Sequence, residues 1–322
     1  MTTTSEVTKT QAPPAAGEEG RRGSLLRRLR RKSRPGRSTG PRAPLSPTRA
    51  AAVATLGTLT ALAVWFVLYA LVFSGFQESH TQHVMYTRLR AYLASELVPV
   101  GGVIKPDTPI ALITAPTIKL RSVVVEGTSS QDLSKGPGHF PSSPLPGQAG
   151  DSTIFGRSAT FGSPFSKISS LRSGETIDVT TGEGRFAYRV IDVRRPGDPI
   201  PALAAGQSDL TLVTSTGSGW RGGWAPTQVI YVDASLASGK VAATPAGAPT
   251  VVPAEDQPLA GDTSDLVPLV LWLQAAVLLA AGLVYARTKW TVWQTWLVGL
   301  PVAIAVLWGA TSTALLLLPN LA

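Results

Sequence analysis

Asp209-Leu-Thr-Leu-Val-Thr-Ser-Thr-Gly217 and Thr227-Gln-Val-Ile-Tyr-Val232 decide how this chain folds. Both runs are dominated by Leu, Val, Ile, Thr and Tyr, side chains that suit a pleated, half-buried surface. Between them lies Ser218-Gly-Trp-Arg-Gly-Gly-Trp-Ala-Pro226, polar and rich in glycine, so the reading is strand, loop, strand, with Ser215 at the C-terminal end of the first strand. The chain contains no cysteine. It therefore has no thiolate nucleophile, no disulfide and no thiolate zinc site.

Working upstream, further short strands appear in turn. Ile110 to Ile118 and Arg121 to Glu126 are apolar, β-branched runs separated at Lys119 and followed by a short helical piece around Gln131-Asp132-Leu133. Lys135 to Gly150 is too rich in Gly and Pro for helix or central strand and reads as a shaped loop. Ser152 to Phe155 reads as a strand and Pro164 to Leu171 as a short helix. Glu175 to Thr181 and Arg185 to Arg195 form a hairpin turned at Gly182-Glu183-Gly184. Many short strands at close intervals with polar turns favour a small closed barrel over a sandwich, so residues 106–236 are expected to form a mainly β barrel domain.

Outside this domain the composition changes. Residues 1–49 are Thr, Ala, Pro, Gly and Arg with few large apolar side chains, too little to offset the entropy of ordering, and are expected to be disordered. The cluster from Arg21 to Arg37 stands directly before an apolar run, which reads as a topology signal touching anionic lipid rather than as a nucleic-acid site. Residues 50–76, 266–286 and 290–318 are each long and apolar enough to cross a hydrocarbon core of about 30 Å as a helix. The mean hydropathy of +0.16 with 15% charged residues agrees with three transmembrane α-helices. The first span is read as an uncleaved anchor. Residues 77–105 continue it as a stalk, in which Met85, Leu89, Tyr92, Leu93 and Leu97 recur at helical spacing. Residues 237–265 have linker composition. Positive charge before the first span and at Arg287 and Lys289 places the N-terminus in the cytoplasm, and the barrel and residues 319–322 outside. No ionisable side chain lies deep in a span, which argues against an ion pathway. His80, His83 and His139 are too few and scattered for a metal site, and neither metal nor cofactor is expected.

From about Leu112 to Val232 the chain resembles the sortases, above all the class E sortases of high-GC Gram-positive bacteria. The resemblance is carried by Val123-Val-Val-Glu-Gly127, Lys135-Gly-Pro-Gly-His139, Leu145-Pro-Gly-Gln-Ala-Gly150, Ala159-Thr-Phe-Gly-Ser-Pro-Phe165 and Leu210-Thr-Leu212, in that order. It implies a sortase-like closed β-barrel with short helices. It also implies that the strand before Ala159 should end in a His, that the strand after Leu210 should deliver a Cys, and that an Arg should begin the next strand. Here the corresponding residues are Arg157, Ser215 and, at or near it, Gln228.

These departures bear on chemistry. A serine hydroxyl is a poor nucleophile without an adjacent base, and a guanidinium cannot serve as that base near neutral pH. Gln228 brings no positive charge to a developing oxyanion, and Arg221 in the preceding loop is the candidate substitute. His139 as a relocated base is disfavoured, because the resemblance places a non-catalytic His in the same phrase. Arg157, Ser215 and the Gln228 region are expected to converge at one end of the barrel, with Arg157 either contacting an anion or peptide carboxylate there or pairing with Asp151 or another surface carboxylate. The first reading is a membrane-anchored pseudo-sortase that binds or organises a cell-wall or surface protein or peptide, with Arg157, Ser215, Arg221, Gln228 and His139 as binding candidates. The alternative is an active transpeptidase or peptidase using Ser215. A third, a membrane-complex subunit whose barrel is a spacer, is favoured if the groove is filled.

Overall fold

The computed structural model describes residues 46–217, 226–245, 251–261 and 263–322. Most of the basic tail expected to be disordered, and Arg221, lie outside them. The chain divides into two compact units, Met1–Gly57 and Thr58–Ala322. In the first, the described residues open a helix, α1 (Pro47–Leu68). In the second, this helix passes through a π-turn at Tyr69–Phe73 into α2 (Ser74–Ala94). Two more long apolar helices, α4 (Leu266–Lys289) and α5 (Val292–Leu316), follow the barrel, and all three helical stretches are long and apolar enough to cross a membrane.

The barrel has eight strands: β1 (Pro109–Ala115), β2 (Leu120–Glu126), β3 (Gly138–His139), β4 (Gly150–Phe155), β5 (Thr176–Thr181), β6 (Gly184–Arg194), β7 (Ser208–Thr216) and β8 (Gln228–Ser238). They close in the order β1-β2-β3-β4-β7-β8-β6-β5, with β2–β3 and β4–β7 parallel and the other neighbours antiparallel. Closure leaves no free sheet edge. Inward side chains recur with period two, Leu210 and Leu212 facing Val232 and Ala234, and Ile177 and Val179 beside Tyr188 and Val190, and these form the main core. Each such side chain taken wholly from water contributes roughly 1.5–3 kcal/mol.

A second apolar cluster lies outside the barrel wall, where Met85 and Leu89 of α2 pack on Val123 and Val125 of β2. The Gln82 amide fixes this contact by accepting from the Val123 N–H and donating to the carbonyls of Val123 and Lys135. The helical stripe read from the sequence packs against the barrel up to Leu93. It stops short of Leu97, because the helix ends at Ala94 and Leu97 is exposed.

Several local expectations change. The Ile110–Ile118 run breaks after Ala115 into a 3-10 turn at Pro116–Ile118, with Lys119 in the left-handed region (φ 57°). The helix expected over Pro164 to Leu171 shrinks to one 3-10 turn at Ile168–Ser170. The expected helical piece near Gln131 is α3 (Ser130–Leu133), capped by Ser129. The Gly/Pro loop includes the two-residue β3, because its backbone zips between β2 and β4 despite its composition. Strand β8 runs to Ser238, past the expected boundary at Leu236. Beyond it, residues 251–261 do not behave as a free linker. Asp256 is buried, accepting from the Thr128 N–H at 2.8 Å, and its carbonyl accepts from the Thr128 hydroxyl at 2.7 Å.

Candidate functional site

The parallel pairing of β4 with β7 builds the site. Phe155 stands opposite Val213, and the Gly156 N–H donates to the Val213 carbonyl at 2.9 Å. Two residues on, the same register brings Arg157-Ser158 alongside Ser215, and the Ser158 and Ser215 hydroxyls lie 3.0 Å apart. Glycine is required at 156, since a Cβ there would lie 2.4 Å from the Phe165 ring. The chain turns at this point, and Arg157 passes inward while Ser158 stays at the rim.

The expected convergence of Arg157 and Ser215 is present, and what they converge on is Leu321 and Ala322 of the same chain. The Leu321 carbonyl accepts from the Ser215 hydroxyl at 2.6 Å, the Ser158 N–H at 3.1 Å and the Ser158 hydroxyl at 3.1 Å. The Ala322 carbonyl accepts from the Thr160 hydroxyl at 2.7 Å and from Arg157 Nη1 at 3.4 Å. The Leu321 side chain is fully buried among Leu133, Phe155, Val213 and Val229. Asn320 donates its amide to the carbonyls of Thr128 at 2.9 Å and Gln257 at 2.8 Å, and its own N–H to Ala260 at 2.9 Å.

Arg157 has no exposed surface. Its Nη2 donates to the Ser130 carbonyl at 2.9 Å and hydroxyl at 2.7 Å, its Nη1 to the Thr160 hydroxyl at 3.1 Å, and the guanidinium lies 4.9 Å from the Phe161 ring centre. Among the described residues no carboxylate side chain pairs with it, and Nε has no partner. The alternative pairing with Asp151 is thus corrected: that carboxylate accepts from the Thr211 hydroxyl instead. Burial pulls the Arg157 pKa down to about 9, still high enough to leave it a cation at neutral pH.

The Gln228 region reaches Ser215, but the residue beside it is Val229 rather than Gln228. Gln228 itself begins β8, opposite Thr216. Successive side chains on a strand alternate faces, so Val229 and Tyr231 share the groove face with Ser215 while the exposed Gln228 falls on the other. His139 is also remote from Ser215. It lies two strands away across the sheet and about three residues further along, roughly 10 Å in each direction. Both of its ring nitrogens are engaged, Nδ1 with Glu126 at 2.9 Å and Nε2 with the Pro144 carbonyl at 3.0 Å and Ser143 at 3.1 Å. It braces the Gly/Pro loop.

The partners of the Ser215 hydroxyl are the Ser158 hydroxyl and the Leu321 carbonyl. Neither can remove its proton, so the arrangement polarises a peptide carbonyl without offering an activated nucleophile. No group of three His, Asp or Glu side chains among the described residues is placed to hold a metal ion. Sequence reasoning missed Ser130, Ser158, Thr160 and Asn320. Ser158 was legible as the neighbour of Arg157, but nothing local marks Ser130 or Asn320, which reach the site from distant parts of the chain.

Residues 113–232 match the family model of the sortase domain, and the closed eight-stranded barrel is typical of sortases. The chain is similar to sortase D of Bacillus subtilis (strain 168), 26% identical over 132 residues that make up 39% of this chain and 65% of that protein, just under two thirds of its length. Among solved structures it is similar to the sortase D5 transpeptidase of Clostridium perfringens, with 25% identity, 50% of this chain and 98% of that chain covered and a TM-score of 0.40. A sortase E variant from Streptomyces avermitilis is 27% identical, with 42% and 91% covered and a TM-score of 0.35.

Proposed function

We propose that this chain is a membrane-tethered pseudo-sortase: a sortase-like barrel outside the cytoplasm that holds a peptide of a cell-envelope protein without transferring it. One observation carries the reading. The Ser215 hydroxyl is committed as a donor to a peptide carbonyl, with Ser158 and the buried Arg157 beside it and neither thiolate nor imidazole in reach. Such a site retains the means to grip a peptide main chain and lacks the means to cleave it. The topology supports the setting. The residues after α5 touch the barrel, which supports a reading with both on one side of the membrane, and positive charge at Arg21 to Arg37 and at Arg287 and Lys289 favours the cytoplasm for the other side.

The test is turnover. The full chain in detergent, given a Leu-Pro-x-Thr-Gly type peptide and a glycine acceptor, is expected to show neither cleavage nor transfer. Turnover that disappears in Ser215→Ala supports the alternative, an active serine peptidase or transpeptidase. A second reading, a spacer barrel within a membrane complex, is favoured by the filled groove. Crosslinking in the native envelope separates the two, since a peptide-binding barrel captures its partner through the groove rim around Ser158 and a spacer through its outer wall.

A further inference from the structure

We propose that the segment Leu318–Ala322 is an exchangeable ligand of the barrel, held in cis in a site that takes a short peptide of the same chemistry in trans: a buried aliphatic side chain followed by a small residue, with an amide-bearing residue before them. The inference rests on the peptide-binding reading above and adds to it the ligand class and what controls access.

The polar groups of the site all come from the barrel side, and they are buried with the segment in place. Ser130, Arg157, Thr160 and Ser215 are each at most 4% exposed, and all four are polar or charged. Without the segment, the Thr160 and Ser215 hydroxyls and a guanidinium edge lose acceptors inside a wall otherwise lined by Leu133, Phe155, Val213 and Val229. A buried cation that no carboxylate side chain among the described residues pairs with, and polar groups of this kind, require an occupant.

The division of labour among the contacts is that of a peptide receptor. Donors from Arg157, Ser158, Thr160 and Ser215 all reach main-chain carbonyls, so they hold any peptide threaded through the same path. Selectivity lies elsewhere, in the apolar pocket that encloses Leu321 and in the acceptors around the Asn320 amide. The segment's hold comes from its tether as much as from its contacts. It follows directly on α5, which ends at Leu316, and this linkage gives it a high effective concentration at the site. Access for a trans peptide is then set by how firmly Leu318–Ala322 is seated.

The absence of cysteine makes the test direct, because Ser215→Cys supplies a unique thiol under the segment. The probe is a synthetic Leu-Pro-Asn-Leu-Ala peptide added to the full chain in detergent or vesicles. With the native tail, the new thiol is expected to react slowly with a water-soluble maleimide. Adding Leu321→Asp, or in a milder version Leu321→Ala, is expected to speed labelling at least tenfold, and the free peptide is expected to slow it again in a saturable way. Equal labelling rates with and without the Leu321 change overturn the proposal, because the segment then does not cover the site. Fast labelling that the peptide does not slow in either variant also overturns it, because the segment is then a structural plug rather than a ligand. A chain whose thiol the peptide protects, but which captures no envelope protein, retains this inference and loses the proposed function instead.

Discussion

Arg157→Met tests the energetics of the site. The substitution keeps much of the side-chain volume and removes the charge. Burial lowers the Arg157 pKa to about 9, a drop of about 3.5 pKa units and a desolvation cost of roughly 5 kcal/mol. Against this stand three close hydrogen bonds from a charged donor, to the Ser130 carbonyl and hydroxyl and to Thr160, at roughly 1.5–3 kcal/mol each, beside a long one of 3.4 Å to the Ala322 carbonyl that adds little. The two sides nearly cancel, so Arg157→Met is expected to cost only about 1–3 kcal/mol at pH 7. Arg157→Ala adds a cavity and is expected to cost about 2 kcal/mol more. The pH dependence gives the sign. The folded pKa of this base is depressed, so below pH 9 the guanidinium is charged in both states and the cost is fully present. Above pH 9 the folded form gives up its proton first, the unfolded state binds more protons, and stability rises with pH. From pH 7 to pH 10 the wild-type chain should gain about 1 kcal/mol over the Met variant. Pulse proteolysis in urea on the full chain in detergent, run at both pH values, measures the difference. A loss above about 5 kcal/mol at pH 7, or a difference that does not move with pH, would refute the reasoning and point to an anion paired with Arg157.

Three further outcomes follow from the same geometry. Burial pushes the Asp132 carboxyl up to about 6 against the pull of the Ser129 hydrogen bond, so its contribution to stability is present at low pH and lost as pH rises through 6. The barrel should gain about 1 kcal/mol between pH 7.5 and pH 5 in urea titrations, and an unchanged slope in Asp132→Asn would exclude this group as the source. Adding thiol chemistry by Arg157→His with Ser215→Cys should give slow reactivity toward a peptide-mimetic electrophile. Val229→Arg should raise it and Gln228→Arg should not, because position 229 shares the groove face with Ser215; the reverse ranking in a stopped assay would contradict the strand register. Single cysteines at exposed Ser238 and Ala254 should react in intact cells with an impermeant reagent while those at Ser38 and Thr288 stay protected, and labelling at Thr288 would break the proposed topology.

Much of this protein is written locally. The alternation in Leu210-Thr-Leu212 and Val232-Asp-Ala234 decides which side chains enter the barrel, because the two-residue repeat of a strand leaves them one choice of face. The three apolar helices follow from length and composition alone, and the packing stripe of α2 from its helical spacing. The placement of Arg157 beside Ser215 was legible only through the ordered phrases shared with sortases, since 57 residues separate the two hydroxyls that now touch. What fills the groove was not legible. Pro319 to Ala322 reads only as residues beyond a membrane span, and Glu255 to Ala260 as linker, because composition reports how a segment behaves when nothing is near it. Only in the folded chain do the Leu321 carbonyl meet Ser215, the Asn320 amide meet Thr128, and Asp256 close over both Thr128 donors. Gln228 shows the same limit at the scale of one residue. The sequence brings it near the site, and the pairing of Ser215 with Val229 turns it to the other face. Hydrogen bonds between main-chain carbonyls and side chains more than a hundred residues away leave no periodicity in sequence, so tertiary structure alone decides them.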